Sequence, residues 1–438
     1  MSNKKPRNMT KGIAIIGGGA AGLMAAATIG EFDSNAEVFL LEKNDELGKK
    51  VLISGGGRCN FTTGLDDLRQ VLARYPRGDK FLTKAMHAFP PKAMRKWLED
   101  HGVPIKIESD LRAFPKSNDG RDVVRVFEKI FASARVKVMF KSAVQDIEKM
   151  KTGFDVTVKG RSEPLEVDKV ILATGGQAYR QTGSTGDGYS FATALGHSIT
   201  PLAPSLSAFY TQESWPVKIS GLSFQSAKLD VMNVQRDRVK RDDEHLTTSG
   251  AVLFTHKGIT GPAVFALSSL VAFETIATDS PLLISIDIFS DRKAADLASN
   301  LVLLINKYPK KSLSNVLSSL VPKSFAVIVC EQLKMDPDKA AGQTNKKNIE
   351  AIAHWLKNIP LHVAARAAGE EFVTAGGVDL SEVNPSTMES KKCSGLYLAG
   401  EILDIDGFTG GFNLQSAWAT GRMAGMSAAN QSCHPERS

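Results

Sequence analysis

"GIAIIGGGAAG", Gly12–Gly22, is a short apolar run that breaks into three consecutive glycines. The next residues, "LMAAATIGE" (Leu23–Glu31), are mostly helix formers, and "EVFLL" (Glu37–Leu41) is a second apolar run. Strand, glycine turn, helix, strand is the signature of a βαβ unit. Gly17, Gly19 and Gly22 satisfy G-x-G-x-x-G at the strand-to-helix turn. The first glycine makes the tight turn, the second lets backbone approach a pyrophosphate, and the third lets helix and strand pack closely. Together with Ala20 and Ala21 they open a helix whose free N–H groups and positive dipole end face the phosphates. Glu42 stands twenty residues beyond Gly22, at the end of the second strand. A carboxylate there accepts both ribose hydroxyls and disfavours a 2′-phosphate. Lys43 beside it joins the same set.

Outward from this unit, Asp79–His101 reads as helix broken at Pro90 and Pro91, and "DVVRVFEKIFASA" (Asp122–Ala134) as an amphipathic helix. Val136–Phe140 and Phe154–Lys159 read as strands, and "EVDKVILATGG" (Glu166–Gly176) as an alternating strand running into a buried one. From Gly196 to about Ser290 the chain is β-rich, as in "AKLDVMNV" and "LLISIDIF"; from Asp291 to about Lys357 it is helical and lysine-rich. "GLYLAGE" (Gly395–Glu401) restores the buried-strand pattern. The simplest arrangement is one α/β domain built from both ends around an insertion. The expected parts are 1–195 and 358–438 for that domain, a β-rich insert over 196–290 and a helical subdomain over 291–357. Lys4–Arg7 and the end from about 430 are expected to be disordered tails.

"VILATGG" and "GLYLAGE" resemble the second and third fingerprints of two-domain flavoproteins of the glutathione-reductase type. That resemblance favours FAD over NAD and implies a Rossmann-like FAD-binding domain. It adds Ala173, Thr174, Gly175 and Gly400 as cofactor contacts, with Glu401 or Asp404 near the ribityl–phosphate end. Val144, before the next extended stretch, is a further cofactor candidate.

Five stretches carry a narrower resemblance: "GKKVLISGGGRCNFT", "ATGGQAYRQTGSTGDGYSFATALGH", "LFTHKGITGPAVFALS", "VTAGGVDLSEVNPSTMESK" and "GLYLAGEILDIDGFTGGFNLQSAWATGRMAG". In this order, across nearly the whole chain, they are similar to the bacterial NAD(P)/FAD-dependent oxidoreductases labelled aminoacetone-oxidase-like. That group includes reductases of 3-oxo bile-acid intermediates. The chain departs from it at Phe408 and Thr409, where members often carry another pair, so side-chain chemistry in that loop does not transfer. The resemblance implies a flavin domain split around an insert, and it leaves the substrate open.

A second glycine-rich loop makes sense if one cofactor is long. Gly48, Lys49, Ser54, Gly55, Gly56, Gly57, Arg58, Cys59 and Asn60 are expected to line the flavin half. Lys49 could neutralise a phosphate, and Arg58 and Asn60 could fix the loop or the cofactor. Cys59 has no C-x-x-C partner and no neighbouring histidine, so it reads as a packing residue and not a nucleophile. A reduced flavin carries negative charge over N1 and C2=O, which calls for positive potential at that edge. Gly411, Asn413, Leu414 and Gln415, at the start of a helix near Asn413, are expected to supply it. In "TGSTGDG" (Thr182–Gly188), glycines are expected to shape backbone near the flavin or substrate, and Asp187 to cap a helix. His256, between a strand and a helix, and Tyr179, next to Arg180, are the acid–base and carbonyl-binding candidates.

Composition bounds the alternatives. The chain has 438 residues, net charge +7 and four cysteines, with a pI of about 9.0. No C-x-x-C or H-E-x-x-H spacing points to a metal, and scattered cysteines suit a reducing compartment. No apolar run approaches the roughly 18 residues of a membrane span, so a cytoplasmic protein is expected. The expected partner is a small-molecule substrate: a carbonyl, enone or amine compound. No second G-x-G-x-x-G provides a separate nicotinamide domain, which leaves direct NAD(P)H visits or O₂ as redox partner. The positive charge keeps a second class open, an RNA-associated or RNA-modifying flavoprotein, though no recognition motif supports nucleic-acid binding. A third is a flavoprotein retained for redox sensing or structure. Oligomeric state is not legible.

Overall fold

The computed structural model describes residues 12–33, 35–234, 246–367 and 369–430; the tail at Lys4–Arg7 and everything beyond Asn430, with Cys433, lie outside them. The chain divides into two units, Met1–Ser205 with Phe372–Ser438, and Leu206–Glu371.

In the first unit, β1 (Gly12–Ile16) is buried at every residue. It leads through the glycine turn into α1 (Ala20–Phe32), then β2 (Glu37–Leu41). β3 (Val136–Met139), β4 (Lys169–Leu172) and β5 (Leu396–Leu398) complete a five-stranded sheet in the order β5-β4-β1-β2-β3. Every pairing is parallel. β1 and β5 are apolar and buried at every residue, as strands covered on both faces are, whereas the edge strand β3 carries the exposed Lys137 and is only part-buried. Parallel pairing gathers their carboxyl ends at one edge, where open α/β sheets bind ligands. Gly17, Glu42, Ala173 and Gly400 all follow those ends.

α1 is buried from Ala20 to Ile29 without interruption. Burying Leu23 and Met24, both fully enclosed, contributes about 1.5–3 kcal/mol each. One covering element is the long C-terminal helix α2 (Phe412–Asn430). It approaches so closely that a Cβ on Gly421 would lie 2.3 Å from the Ala21 carbonyl oxygen, and one on Gly425 2.7 Å from that of Ala25.

The end of this unit is stapled by a buried histidine. His197 Nδ1 lies 3.0 Å from Glu382 Oε2, and Nε2 lies 2.8 Å from Ser390 Oγ. Burial pushes the imidazole below its usual range, against the opposing pull of Glu382. Burial also disfavours the Glu382 carboxylate, but Lys392 and the Ser198 N–H outweigh it and hold the acid at about 2. Both groups bind fewer protons folded than unfolded, so the staple weakens in acid. The histidine contribution is complete above the unfolded value of about 6.5 and declines as pH falls from there toward the lowered folded value, by at most about 1.4 kcal/mol per pH unit. The Glu382 contribution follows, from roughly pH 5 downward. Denaturant midpoints should therefore fall between pH 7 and 5, and His197→Gln should flatten that slope. An unchanged slope in the variant would refute the assignment.

The second unit is a closed, antiparallel six-stranded barrel. Its order is Phe209–Thr211, Gly258–Thr260, Thr247–Phe254, Ser223–Val231, Leu282–Asp287, Ile359–Arg366, the last pairing back to the first. Four longer helices, Ala294–Lys307, Lys323–Gln332, Lys346–Lys357 and Pro262–Leu270, share its core. Two expected boundaries move. Ile359–Arg366 belongs to the barrel and not to the returning flavin domain, because it closes the sheet and removes its edges. Residues 196–205 stay with the first unit, where Ala203–Ser205 pairs with Val373–Ala375.

Candidate cofactor site

The glycine turn is packed on two sides and open on one. Gly17 has φ +106°, and a Cβ there would lie 2.5 Å from the Ala173 carbonyl oxygen; a Cβ on Gly22 would lie 1.9 Å from that of Gly17. Gly19, the N-cap of α1, would meet nothing within 4 Å. No side chain caps that helix and its first turn carries no acid. Its orphan N–H groups are therefore left to an anion. Glu42 is buried beside the turn. Its Oε2 accepts from Gly18 N at 2.8 Å, and Oε1 from Asn44 N and Nδ2 at 2.8 and 2.7 Å. These bonds hold the carboxylate against the glycine turn, where the fingerprint leads one to expect a ribose.

The "TGSTGDG" loop lies beside Lys43 and Asn44, next to Glu42. Lys43 Nζ donates to Thr185 Oγ1 at 2.6 Å and to Asp187 at 2.7 Å, and Asn44 Nδ2 donates to Thr182 O at 3.1 Å. Asp187 is not the helix cap: Gly186, left-handed at φ +87°, is the N-cap of Asp187–Ala194, and the carboxylate is taken by Lys43 and Thr185. Upstream of the loop, the chain is pinned where Gln177 N and Ala178 N donate to Thr374 Oγ1.

In the second glycine loop, Gly55, Gly56, Gly57 and Cys59 all have positive φ, and Gly56 and Gly57 border open space. Arg58 turns away to Glu108 Oε1 at 2.7 Å and lies 4.0 Å over the Phe114 ring. Asn60, with Oδ1 toward Gly411 N at 2.9 Å and Nδ2 toward the carbonyls of Thr62 and Ala113, ties the loop to the start of α2. Both side chains fix the loop, and glycine backbone faces outward. Cys59 is fully enclosed, and burial pushes its thiol up to about 12. A thiol so protonated at neutral pH is a poor nucleophile. Cys59→Ser should keep FAD and most activity at a cost of about 1–2 kcal/mol for burying a hydroxyl; loss of turnover with FAD still bound would contradict this.

The two lysines of Gly48–Lys50 diverge. Lys49 pairs with Asp45 at 3.0 Å, whereas Lys50 reaches Glu401 at 2.7 Å. Glu401 also accepts from Thr374 N at 2.9 Å. No motif in the sequence singles out Lys50, whose one signal is its place beside Lys49. Asp404 Oδ1 and Thr174 Oγ1 are buried without a hydrogen-bond partner. Burial raises the Asp404 carboxyl above its ordinary range. Val144 opens the strand Val144–Lys149 of an antiparallel meander.

At the start of α2, Asn413 clamps the preceding turn, accepting from Gly407 N at 2.8 Å and donating to Gly407 O at 2.7 Å. Gln415 is fully buried; it accepts from Thr62 Oγ1 at 2.6 Å and donates to Phe89 O at 2.8 Å. Its side chain is committed to the protein, so any cofactor contact here falls to the main chain of Gly411–Leu414. Tyr179 is left-handed at φ +56° and its ring stacks on Phe372, with centroids 5.8 Å apart. His256, in the other unit, is exposed in a turn between two strands, Thr247–Phe254 and Gly258–Thr260, with the helix starting only at Pro262.

An open glycine turn at a helix N-terminus, a buried ribose-directed carboxylate and orphaned polar atoms at the strand ends fit FAD. Gly17, Gly19, Glu42 and Lys50–Glu401 would hold it. Among the described residues no His/Cys/Asp/Glu group could hold a metal, and no helix is long and apolar enough to cross a membrane.

The family model described as HI0933-like protein Rossmann domain matches residues 11–427. A 3-dehydro-bile acid delta(4,6)-reductase of Clostridium scindens is 29% identical over 420 residues, covering 96% of this chain and 99% of the relative. A ribosomal RNA dihydrouridine synthase of Escherichia coli is 29% identical over 407 residues, covering 93% and 95%. Among solved structures, the E. coli quinol fumarate reductase FrdA is similar in fold, with TM-score 0.51 and 15% identity over 98% of this chain and 72% of that one.

Proposed function

The chain belongs to the HI0933-like Rossmann-domain family of FAD-dependent oxidoreductases, and from that premise we propose that it reduces a carbon–carbon double bond conjugated to a carbonyl. The observation that carries this is a shared bond type. The Δ4,6 bonds of a 3-dehydro steroid acid and the C5=C6 bond of uracil are both conjugated to a carbonyl, and the two named relatives are reductases of these. FAD, when bound and with a nicotinamide as the proposed reductant, would supply the hydride to the electrophilic end of the conjugated double bond. The chain's part is to orient the substrate, polarise its carbonyl and deliver a proton to the α-carbon. Tyr179 and His256 are the two donors proposed. Removing the true donor lowers reduction by about 10²–10⁴-fold; Tyr179→Phe and His256→Gln, with flavin bleaching by nicotinamide as the control, identify it.

A small-molecule enone is the first reading of the substrate. The second, uridine in ribosomal RNA, is favoured by the net charge of +7 and the dihydrouridine-synthase relative. The test is anaerobic. NADH or NADPH should bleach the flavin, and a steroid 4,6-dien-3-one should restore its colour. Ribosomal RNA doing so in its place selects the second reading, which also requires steeply salt-dependent binding. Bleached flavin that only O₂ reoxidises would overturn the reductase assignment.

A further inference from the structure

The segment Arg74–Gly78 meets the stretch Ile405–Phe412, which leads into α2, at every residue but Pro76, and no sequence motif marks it. Arg74 O accepts from Phe408 N at 2.9 Å. Tyr75 OH donates to Phe412 O at 2.6 Å, and its ring meets the Phe412 ring edge-on. Gly78 lies where a Cβ would be 2.6 Å from Ile405 Cγ1. Gly407 is held against the Tyr75 ring, 2.9 Å from any Cβ it might carry. At the centre, the Arg77 guanidinium donates through Nε and Nη2 to the two oxygens of Asp406, and Arg77 and Asp406 form an antiparallel bridge. Asp406 is fully enclosed and also accepts from Ser205 Oγ at 2.7 Å.

A buried ion pair is a poor source of net stability, since desolvation offsets the attraction. Its bidentate geometry does fix position and register. We propose that Arg77 is a positioning residue: through Asp406 it sets the turn Gly407–Gly411 and hence the aim of the α2 N–H groups at the flavin pyrimidine edge. This rests on the reading that the start of α2 faces the flavin. Phe408 N, Gly407 and Gly411 N are also tied to the protein, through the neutral groups Arg74 O, Asn413 and Asn60. Losing Arg77 leaves a buried carboxylate one residue before the turn, which pushes the backbone to re-solvate it.

The test reads flavin properties and not turnover. In Arg77→Met, loaded with FAD, the reduced-to-oxidised flavin ratio at fixed potential should fall about tenfold, a shift of about 30 mV for a two-electron couple. FAD dissociation should rise about tenfold. Arg77→Met combined with Asp406→Leu removes both charges. It should regain the wild-type melting temperature, as apolar replacement of a buried pair often does, without regaining the potential. If Arg77→Met does not fold, the double variant carries the test alone. Wild-type potential and FAD affinity in the folded variants would overturn the proposal. Asn413→Asp separates the underlying reading: a negative charge at the start of α2 lowers the potential if that helix faces the flavin. No shift in Asn413→Asp refutes that reading; a shift there with none in Arg77→Met refutes only the role of Arg77.

Discussion

Gly19→Val should give a folded protein that no longer retains FAD. Gly19 sits at φ −82° and ψ −172°, an extended conformation open to any residue, and a Cβ there touches nothing within 4 Å. The folded state is therefore expected to lose no more than about 1 kcal/mol, from a poorer N-cap. On the proposal that the pyrophosphate enters this open space, an isopropyl group there blocks it. A loss of FAD affinity of at least about a hundredfold, some 3 kcal/mol, is expected. Gly22→Val is the contrast. Its Cβ would lie 1.9 Å from the Gly17 carbonyl oxygen, so apoprotein and cofactor binding both suffer. Flavin content after purification and apoprotein melting separate the two variants. Gly19→Val that binds FAD like wild type would remove the turn from the cofactor site.

Gly421→Leu should produce the largest loss of stability. A Cβ at this position lies 2.3 Å from the Ala21 carbonyl oxygen and 3.0 Å from its carbon. These are backbone atoms inside a helix, so no side-chain rotation relieves the clash. The helices must separate along a seam that Gly425 continues one turn later, 2.7 Å from the Ala25 oxygen. Overpacking usually costs about 1–3 kcal/mol; with rigid partners on both sides, about 3 kcal/mol or more is expected. Because α1 begins at the glycine turn and α2 at the turn set by Asp406, FAD binding should weaken too. Thermal unfolding of the apoprotein checks the first effect, and a melting temperature within a degree of wild type would contradict it.

The cofactor half of this protein was legible because its signals are local. Strand, turn and helix follow one another within Gly12–Phe32, and Glu42 directly follows the next strand. Each element has a short-range period and its own turn chemistry, so G-x-G-x-x-G can be read without knowing what packs on it. The same holds for β4 and β5, whose apolar runs Val170–Leu172 and Leu396–Leu398 announce buried strands.

What the sequence by itself determined was thus the parallel sheet, its glycine turn and the carboxylate beside it. Only the tertiary structure decided which charged group meets which. Lys50 and not Lys49 reaches Glu401 across 351 residues, and Arg77 reaches Asp406 across 329. It also gave Ile359–Arg366 to the barrel, since a strand's own alternation is equally compatible with either sheet and the unpaired edge selects. It turned Asp187 from a cap into the partner of Lys43. Pairings over such separations depend on how whole elements are brought together, and no spacing along the chain encodes that.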